Sequence, residues 1–302
     1  MPTETRRYAL LEAPSSLGLE PHGVERLPER LLELGLESRT NAHRAGRVAP
    51  PPYTPHRDET TRTLNAHALA TWSPRLADAV ESILSRDEFP IVLGGDCSIL
   101  LGSALALRRR GRYGLFYVDG HADFYQPEVN PNGEAASMDL AFATGFGPPL
   151  LTDLEGRMPL VRPEDAVAYA FRDADEQRRF GSQPLPGELR AFDLAFVRRV
   201  GALEAARSAV ELLARDTLHG FFIHLDADSL SDTVMPAVDY RLPDGLTPDE
   251  LEITLRTAIA SGAAVGLEVT IYNPSLDPDG TAGRVLLDVL TRALGTAAPV
   301  RR

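Results

Sequence analysis

The sequence predicts an α/β fold in which helices cover both faces of a largely parallel sheet. Short apolar runs alternate with amphipathic stretches along the chain, which is the pattern of βαβ units. The apolar runs are nearly continuous, as expected for strands that are buried on both faces. No linker divides the 302 residues, of which 43% are hydrophobic, so we predict a single domain over residues 1–302.

The strands are predicted where apolar residues follow one another without a polar interruption. In chain order these runs are Arg7–Leu11, Pro90–Leu93, Gly114–Val118, Ala166–Ala170, Gly220–Leu225 and Ala264–Ile271. Each of these runs has the length of a typical strand. Because the intervening segments are helical, the strands are predicted to be parallel, and ligands are expected at their carboxyl ends.

The helices are predicted between these strands, where apolar and polar residues share a helical period. In chain order they are Leu27–Leu34, Ser73–Leu84, Ser98–Arg110, Gly201–Ala214, Pro248–Ser261 and Ala282–Leu294. Loops are predicted at Arg44–Thr61, at Pro127–Glu134 and at Gly181–Gly187. The first of these contains three consecutive prolines and is expected to lie over or near the functional site.

Composition excludes several functional classes. The net charge of −12 argues against nucleic acid or an anionic membrane as a partner. The single cysteine, Cys97, excludes an intrachain disulfide and fits a reducing cytoplasm, where we expect the protein. No signal peptide or membrane-spanning run is predicted. All 31 basic residues are arginines, which excludes lysine-based Schiff-base chemistry and a Walker A lysine.

Acidic residues follow two of the predicted strands. Asp119, His121 and Asp123 come directly after one strand, and Asp226 and Asp228 end another about a hundred residues later. Because alternate residues of a strand share a face, the members of each set are expected to project together.

Such a cluster of carboxylates would be repulsive without a counter-charge, and one or two divalent cations are the simplest source of it. The alternative is that these acids are helix caps and loop acids. Capping accounts for one aspartate at a strand-to-helix junction, but poorly for a cluster of acids with a histidine. The sequence therefore predicts a metal site.

Three segments resemble the motifs of a known family. Leu93–Ser98 is similar to Gly-Gly-Asp-His-Ser, Asp119–Asp123 to Asp-Ala-His-x-Asp, and Asp226–Asp228 to Asp-x-Asp. In this order and spacing they resemble the ureohydrolases, which include arginase, agmatinase, formimidoylglutamase and guanidinobutyrase. The resemblance extends over roughly residues 10–290. It implies a three-layer α/β/α sandwich with a largely parallel sheet of about eight strands.

The resemblance also implies a binuclear manganese centre. Asp119 and Asp226 would bridge the two ions. His121 and Asp228 would complete one site, and Asp123 and Cys97 the other. A metal-activated hydroxide would attack the planar carbon of a small-molecule substrate, and Asp123 would pass a proton to the departing amine. Ureohydrolases are often trimers or hexamers, so the resemblance implies a possible homo-oligomer.

Cys97 departs from the family, which has a histidine ligand at this position. A thiolate there would favour Zn²⁺ or Fe²⁺ over Mn²⁺, whereas a neutral buried thiol would leave the ligand position vacant. In the second case Asp119, His121 and Asp226 would form a site similar to the single-metal site of the histone deacetylases.

Ala136 stands where the resemblance places a histidine that shuttles protons. Glu134 or Asp139 could substitute for it, although both are also typical loop acids or helix caps. His224 is a further catalytic candidate, because strand alternation places it on the face of Asp226. A histidine at such a position can instead be a core residue that hydrogen-bonds a metal ligand.

The substrate-binding residues also differ from those of the family. Ile271 stands where a glutamate grips the guanidinium group, and Glu268 lies three residues upstream, an odd spacing that reverses the face of a strand. Glu268 is a candidate for substrate binding or for supporting a ligand. Asp175 aligns with an acid that faces the α-amino group of arginine, or it is a surface acid. Tyr125 replaces an asparagine that contacts the α-carboxylate, so arginine is not the expected substrate.

The main prediction is therefore a metal-dependent hydrolase of the ureohydrolase type. It would cleave a non-peptide C–N bond in a linear amidine, a guanidino compound or a related amide. One alternative is a single-metal, deacetylase-like amidohydrolase that holds Zn²⁺. The other is a catalytically inactive protein that has retained its metal.

Overall fold

An eight-stranded parallel sheet forms the centre of the structure, a computed structural model that describes residues 6–295. The strands are β1 (Tyr8–Ala13), β2 (His43–Arg47), β3 (Phe89–Gly94), β4 (Gly114–Val118), β5 (Ala166–Tyr169), β6 (Arg190–Phe192), β7 (Phe221–Asp226) and β8 (Ala264–Thr270). Their spatial order is β2-β1-β3-β8-β7-β4-β5-β6, and every neighbouring pair is parallel.

Helices cover the sheet on both sides and complete three layers. They are α1 (Leu27–Glu33), α2 (Leu36–Thr40), α3 (Ala66–Leu84), α4 (Leu100–Arg110), α5 (Asp139–Ala143), α6 (Pro149–Thr152), α7 (Ala174–Phe180), α8 (Leu194–Val200), α9 (Ala202–Leu213), α10 (Pro248–Ala260) and α11 (Thr281–Leu294). One core packs α1, α2 and α8 to α11 against the sheet, and the other packs α3 to α6 against the opposite face. In β1, Leu10 joins the first core and Leu11 the second, as the period of two in a strand requires.

The predicted fold class is confirmed, and the six predicted strands and six predicted helices are all present. The two strands that the sequence did not predict, β2 and β6, are the edges of the sheet. Their residues are mostly exposed and include four charged or imidazole side chains, so they lack the apolar run that marks a central strand. The predicted loop at Arg44–Thr61 therefore starts too early, because its first residues belong to β2.

Helix α3 is also longer than predicted, since it begins at Ala66 rather than at Ser73. Ser73-Pro74 carries the signal of a helix start, a serine cap followed by a proline without an N–H. In the structure Pro74 lies inside the helix and the buried Trp72 precedes it. The buried apolar face of the helix outweighs the local signal of the proline.

The order of the strands brings the predicted site residues together. Strands β7 and β4 are hydrogen-bonded neighbours, so Asp226 at the end of β7 and Asp119 after β4 meet at one edge of the sheet. Strand β8 pairs with β7 on the other side and places Glu268 beside His224. No helix within residues 6–295 combines the length and apolarity that crossing a bilayer demands.

Candidate metal centre

Two tight turns present the acids at the ends of β4 and β7. The carboxylate of Asp119 accepts the N–H of His121 at 2.6 Å, and that of Asp226 accepts the N–H of Asp228 at 2.7 Å. These Asx turns let a residue two positions further along the chain point back towards the aspartate. Asp119 and His121 come together through a turn, since β4 already ends at Val118, whereas Asp123 does not join them and the side chains of Asp226 and Asp228 belong to different groups of donors.

Asp119, His121 and Asp228 form what we call the outer group. Their ligand atoms lie within 4.8 Å of one another, and Nδ1 of His121 is 2.8 Å from Oδ2 of Asp228. Burial acts to raise the pKa of Asp228, but the charge and hydrogen bond of His121 and the charge of Arg172 lower it to about 2. Asp228 therefore stays ionised at the centre.

The outer group depends on Arg172 and Gly120. The guanidinium of Arg172 donates to the carbonyl oxygens of Asp228 at 3.0 Å and Leu242 at 3.2 Å, and so ties the turn after β7 to a distant loop. A side chain at Gly120 would place its Cβ 2.4 Å from Nη1 of Arg172 and 2.7 Å from the carbonyl oxygen of Asp228. A side chain there would require Arg172 or the turn after β7 to shift, and sequence reasoning assigned no role to Arg172.

Cys97, Asp119, His224 and Asp226 form the inner group, and Asp119 belongs to both groups. The four ligand atoms again lie within 4.8 Å of one another, and all four residues are buried. Nε2 of His224 is 3.9 Å from Oδ2 of Asp119, and neither buried atom has a hydrogen-bond partner. Buried polar atoms without partners are rare, and two that face each other are suited to share a cation.

Glu268 supports the inner group from behind. One oxygen is 2.7 Å from Nδ1 of His224, and the other accepts the hydroxyl of Ser103 at 2.5 Å. The side chain is fully buried and does not line the cavity described below. The structure therefore does not place Glu268 where it would bind a substrate, and no sequence motif indicated Ser103.

Cys97 is held as a thiol when no cation is present. Burial raises the pKa of its thiol well above the usual value, and the surrounding carboxylates, led by Asp226, raise it further. The sulfur lies 2.8 Å from Oδ2 of Asp226, to which the thiol donates, and 3.2 Å from the hydroxyl of Thr270.

The charge balance of the centre favours a bound cation. Burial, followed by the charges of neighbouring acids, raises the pKa of Asp119, Asp123 and Asp226 well above the usual range. A divalent ion would remove this penalty, because it stabilises the ionised carboxylates. The carboxylate and imidazole donors and the two unpartnered atoms fit a divalent metal.

Asp123 lies outside both groups, although it was predicted to be a ligand. Its Oδ2 is 2.8 Å from the hydroxyl of Tyr117, which is also 2.9 Å from Oδ1 of Asp139. One hydroxyl hydrogen cannot serve both carboxylates, and burial raises the pKa of Asp139 well above the usual range. Tyr117 therefore holds Asp123 at the edge of the centre, and no sequence motif indicated this contact.

A cavity of about 280 Å³ opens onto the centre. Its floor is formed by Cys97, His121, Asp123, Asp226 and Asp228. Its walls include Tyr125, Asn130, Asn132, Glu134, Ala136, Glu176, Phe180, Tyr240 and Ile271. The buried carboxylate of Glu134 accepts hydrogen bonds from Tyr240 at 2.7 Å and Asn132 at 2.6 Å.

The predicted loop at Arg44–Thr61 supports this cavity without lining it. The guanidinium of Arg57 donates to the carbonyl oxygens of Pro127 at 2.9 Å, Asn130 at 2.8 Å and Pro131 at 3.0 Å. Arg57 therefore stabilises the segment 127–131, in which Asn130 and Pro131 line the cavity.

Three further positions from the sequence analysis, Asp175, Ala136 and Ile271, differ in whether they line the cavity. Asp175 is 93% exposed and paired with Arg178, so the structure does not bring it to the cavity, which its neighbour Glu176 lines instead. Ala136 is buried and lines the wall. Ile271 also lines the wall, with φ at 69°, a conformation that is strained for a β-branched residue.

Known proteins resemble this chain over almost its whole length. The sequence model of one family, described as "Arginase family", matches residues 7–295. The arginase of Staphylococcus aureus strain COL is 26% identical over 284 residues, which cover 91% of this chain and 92% of that protein. The structure of arginase from Bacillus caldovelox superposes with a TM-score of 0.85 at 25% identity, over 96% and 98% of the two chains. Formimidoylglutamase from Bacillus subtilis shares the fold, with a TM-score of 0.71 at 18% identity over 98% and 88% of the chains.

Proposed function

The chain belongs to the arginase family, and we propose that it is a metal-dependent hydrolase that cleaves a C–N bond in a cationic guanidino or linear amidine compound. One observation carries this proposal. Two groups of metal-binding side chains share the buried Asp119, and members of both groups form the floor of a single cavity. A cavity that ends on such a centre holds a substrate against the groups that activate water.

The chemistry divides between the bound metal and the chain. Divalent ions at this centre would acidify water and polarise the substrate carbon. Asp123 lines the cavity without belonging to either ligand group, so its carboxylate is available to accept and return a proton. The hydroxyl of Tyr117, 2.8 Å away, keeps this carboxylate in one orientation.

The charge of the walls supports a cationic substrate. Glu134 and Glu176 line the cavity together with the acids of the floor, and no arginine of residues 6–295 lines it. The whole chain lacks lysine. A negatively charged substrate such as formimidoylglutamate would find no counter-charge on these walls, whereas a guanidinium or amidinium group would find several.

Arginine itself matches the cavity poorly, although the two relatives described above are named arginases. Ile271 offers an apolar side chain where the resemblance places a guanidinium-binding glutamate, and Asp175 points into solvent. Tyr125 lines the wall where a contact to the α-carboxylate would be needed. We therefore propose a substrate without the α-amino and α-carboxylate groups of arginine.

The test is turnover of a panel by the protein loaded with Mn²⁺ or Zn²⁺. The panel contains agmatine, guanidinobutyrate, arginine, formimidoylglutamate and acylated polyamines. We expect urea from a decarboxylated guanidino compound, with arginine turned over at least about tenfold more slowly per unit concentration. Preference for arginine would refute the proposed substrate class. A lack of product from every compound would refute the proposed hydrolase activity.

A single-ion hydrolase is the second candidate, because the thiol of Cys97 donates to Asp226 and so leaves the inner group with one donor fewer. It predicts one zinc per chain and release of acetate from an acylated polyamine. The catalytically inactive alternative predicts bound metal without turnover, and it is favoured by Ala136, which leaves the cavity wall without the expected histidine. Metal content measured on the same sample as the panel separates the three.

A further inference from the structure

A histidine approaches the inner group from an unexpected strand. The resemblance places a histidine ligand at the turn after β3, where this chain has Cys97. His224, in the middle of β7, directs its Nε2 into the same group of donors. Strand β7 ends in Asp226, two residues further on, so both side chains project from one face of the strand.

The geometry points to His224 as the imidazole ligand of the inner ion, in place of the residue at position 97. This inference rests on the proposed metal-dependent function and adds a ligand that the family motifs do not contain. The ion would lie between Nε2 of His224, Asp119 and Asp226, whose ligand atoms are within 4.8 Å of one another.

The surroundings of His224 prepare its Nε2 for a metal. Nδ1 lies 2.7 Å from the carboxylate of Glu268, which the hydroxyl of Ser103 anchors at 2.5 Å. A carboxylate at Nδ1 holds the proton there and leaves the lone pair of Nε2 free, as it does for many metal-bound histidines. Nε2 is buried and has no hydrogen-bond partner, although buried polar atoms rarely remain unpaired.

The ring cannot turn away from the centre. It is fully buried and stacks on Tyr117, with ring centroids 4.5 Å apart and planes within 5° of parallel. Rotation would also break the contact with Glu268. Packing on several sides therefore fixes the orientation in which Nε2 of His224 faces Asp119.

Cys97 is the weaker candidate for the same position. Its thiol already donates to Asp226 at 2.8 Å and contacts Thr270. A sulfur ligand would have to give up its hydrogen bond to Asp226, whereas Nε2 of His224 has no hydrogen-bond partner to lose. Imidazole and carboxylate donors also accept Mn²⁺, while a thiolate would select softer metals.

The first test uses the wild-type protein loaded with Co²⁺ and NMR in D₂O. A metal-bound imidazole shows a strongly shifted N–H signal, and the Nδ1–H of His224 is buried against Glu268, so its signal should persist after exchange. Absence of a persistent shifted N–H in protein that binds Co²⁺ would overturn the inference. A thiolate-to-cobalt charge-transfer band that disappears in Cys97→Ser would assign the position to Cys97 and also overturn it.

The second test compares metal content in His224→Gln and Cys97→Ser by mass spectrometry after gel filtration. We expect Cys97→Ser to keep the wild-type stoichiometry and His224→Gln to lose one ion while the outer group keeps the other. The retained outer ion reports that His224→Gln is folded. Full stoichiometry in His224→Gln, or loss of an ion in Cys97→Ser, would contradict the inference.

Both tests are independent of turnover. An inactive protein with a persistent shifted N–H would refute the proposed hydrolase and leave this ligand assignment standing. An active protein in which Cys97 holds the ion would refute the assignment alone.

Discussion

The outer and inner groups share Asp119 but are built in different ways. The outer group takes His121 and Asp228 from two tight turns, each two residues beyond an aspartate. The inner group takes Cys97 from the turn after β3 and His224 from the interior of β7. His121 is 17% exposed, whereas the side chain of His224 is fully buried.

The outer group therefore needs two local turns and the pairing of β4 with β7, whereas the inner group needs a longer run of paired strands. A turn brings its own residues together whatever the neighbouring strands contain. The inner group exists only because β3, β8, β7 and β4 are adjacent in the sheet. We therefore expect substitutions in β3 and β8 to affect the inner group more than the outer group, which needs only the pairing of β4 with β7.

The largest effect is expected from Asp119→Asn, because this carboxylate serves both groups. Activity should fall by more than about 100-fold, beyond the loss caused by removing a residue that only supports a ligand. Metal content should fall for both sites. The metal-free variant should be at least as stable as the wild type, because one buried like charge is removed.

The measurements for Asp119→Asn are metal analysis, turnover and thermal unfolding after chelation. Asp216→Asn, which changes an exposed aspartate on a surface turn, is the matched control. Loss of only one ion from Asp119→Asn would show that the two groups do not share this ligand.

Removal of the metal by a chelator should lower the stability of the protein. At an ion concentration of about 100 times the dissociation constant, each site contributes about 2.7 kcal/mol to the free energy of unfolding. Urea unfolding with and without Mn²⁺ measures this contribution. In His224→Gln we expect Mn²⁺ to raise the free energy of unfolding by the contribution of about one site. The same stabilisation by Mn²⁺ as in the wild type would contradict the division into two groups.

Glu268→Gln tests whether the inner group depends on its support. Glutamine cannot accept from both His224 and Ser103 as the carboxylate does, so the inner ion should bind about 10 to 100 times more weakly. The outer ion should be unaffected. Competitive titration with a metal-binding dye measures both affinities, with Glu204→Gln on the surface of α9 as the control. Equal weakening of both ions would show that the groups are not separable.

Cys97→His places a histidine where the resemblance expects one. If His224 already supplies the imidazole, a second ring has little space, since Cys97 is 1% exposed. We expect a loss of about 1 to 3 kcal/mol in the free energy of unfolding from overpacking and less than a tenfold gain in affinity for the inner ion. A larger gain in affinity would indicate that the position had been vacant.

The smallest effect is expected from Arg57→Ala, which releases the braced segment 127–131 and touches neither group. KM should rise severalfold with kcat and metal content unchanged, because only the cavity wall loosens. Steady-state kinetics with the best compound of the panel measures it. A fall in metal content would connect this loop to the metal centre itself.

The sequence predicted the central strands, the long helices and the acids of the outer group. Continuous apolar runs mark strands that are buried on both faces, and β1, β3, β4, β7 and β8 have them. The edge strands β2 and β6 were not predicted, because most of their residues are exposed to solvent and form no apolar run. Asp175 and Glu268 were candidates for substrate binding, with a surface acid and a support for a ligand as the alternatives, and in the structure Asp175 is exposed and Glu268 lies behind His224.

Local pattern and composition specify which donors exist and that acids follow buried strands, so both could be predicted from the sequence. Which donors meet depends on how distant segments pack. The inner group depends on the order of strands in the sheet, and the contacts of His224 with Glu268 and of Tyr117 with Asp123 depend on packing between strands and loops. Strand order follows from the global burial of both sheet faces, which no short segment of the chain encodes.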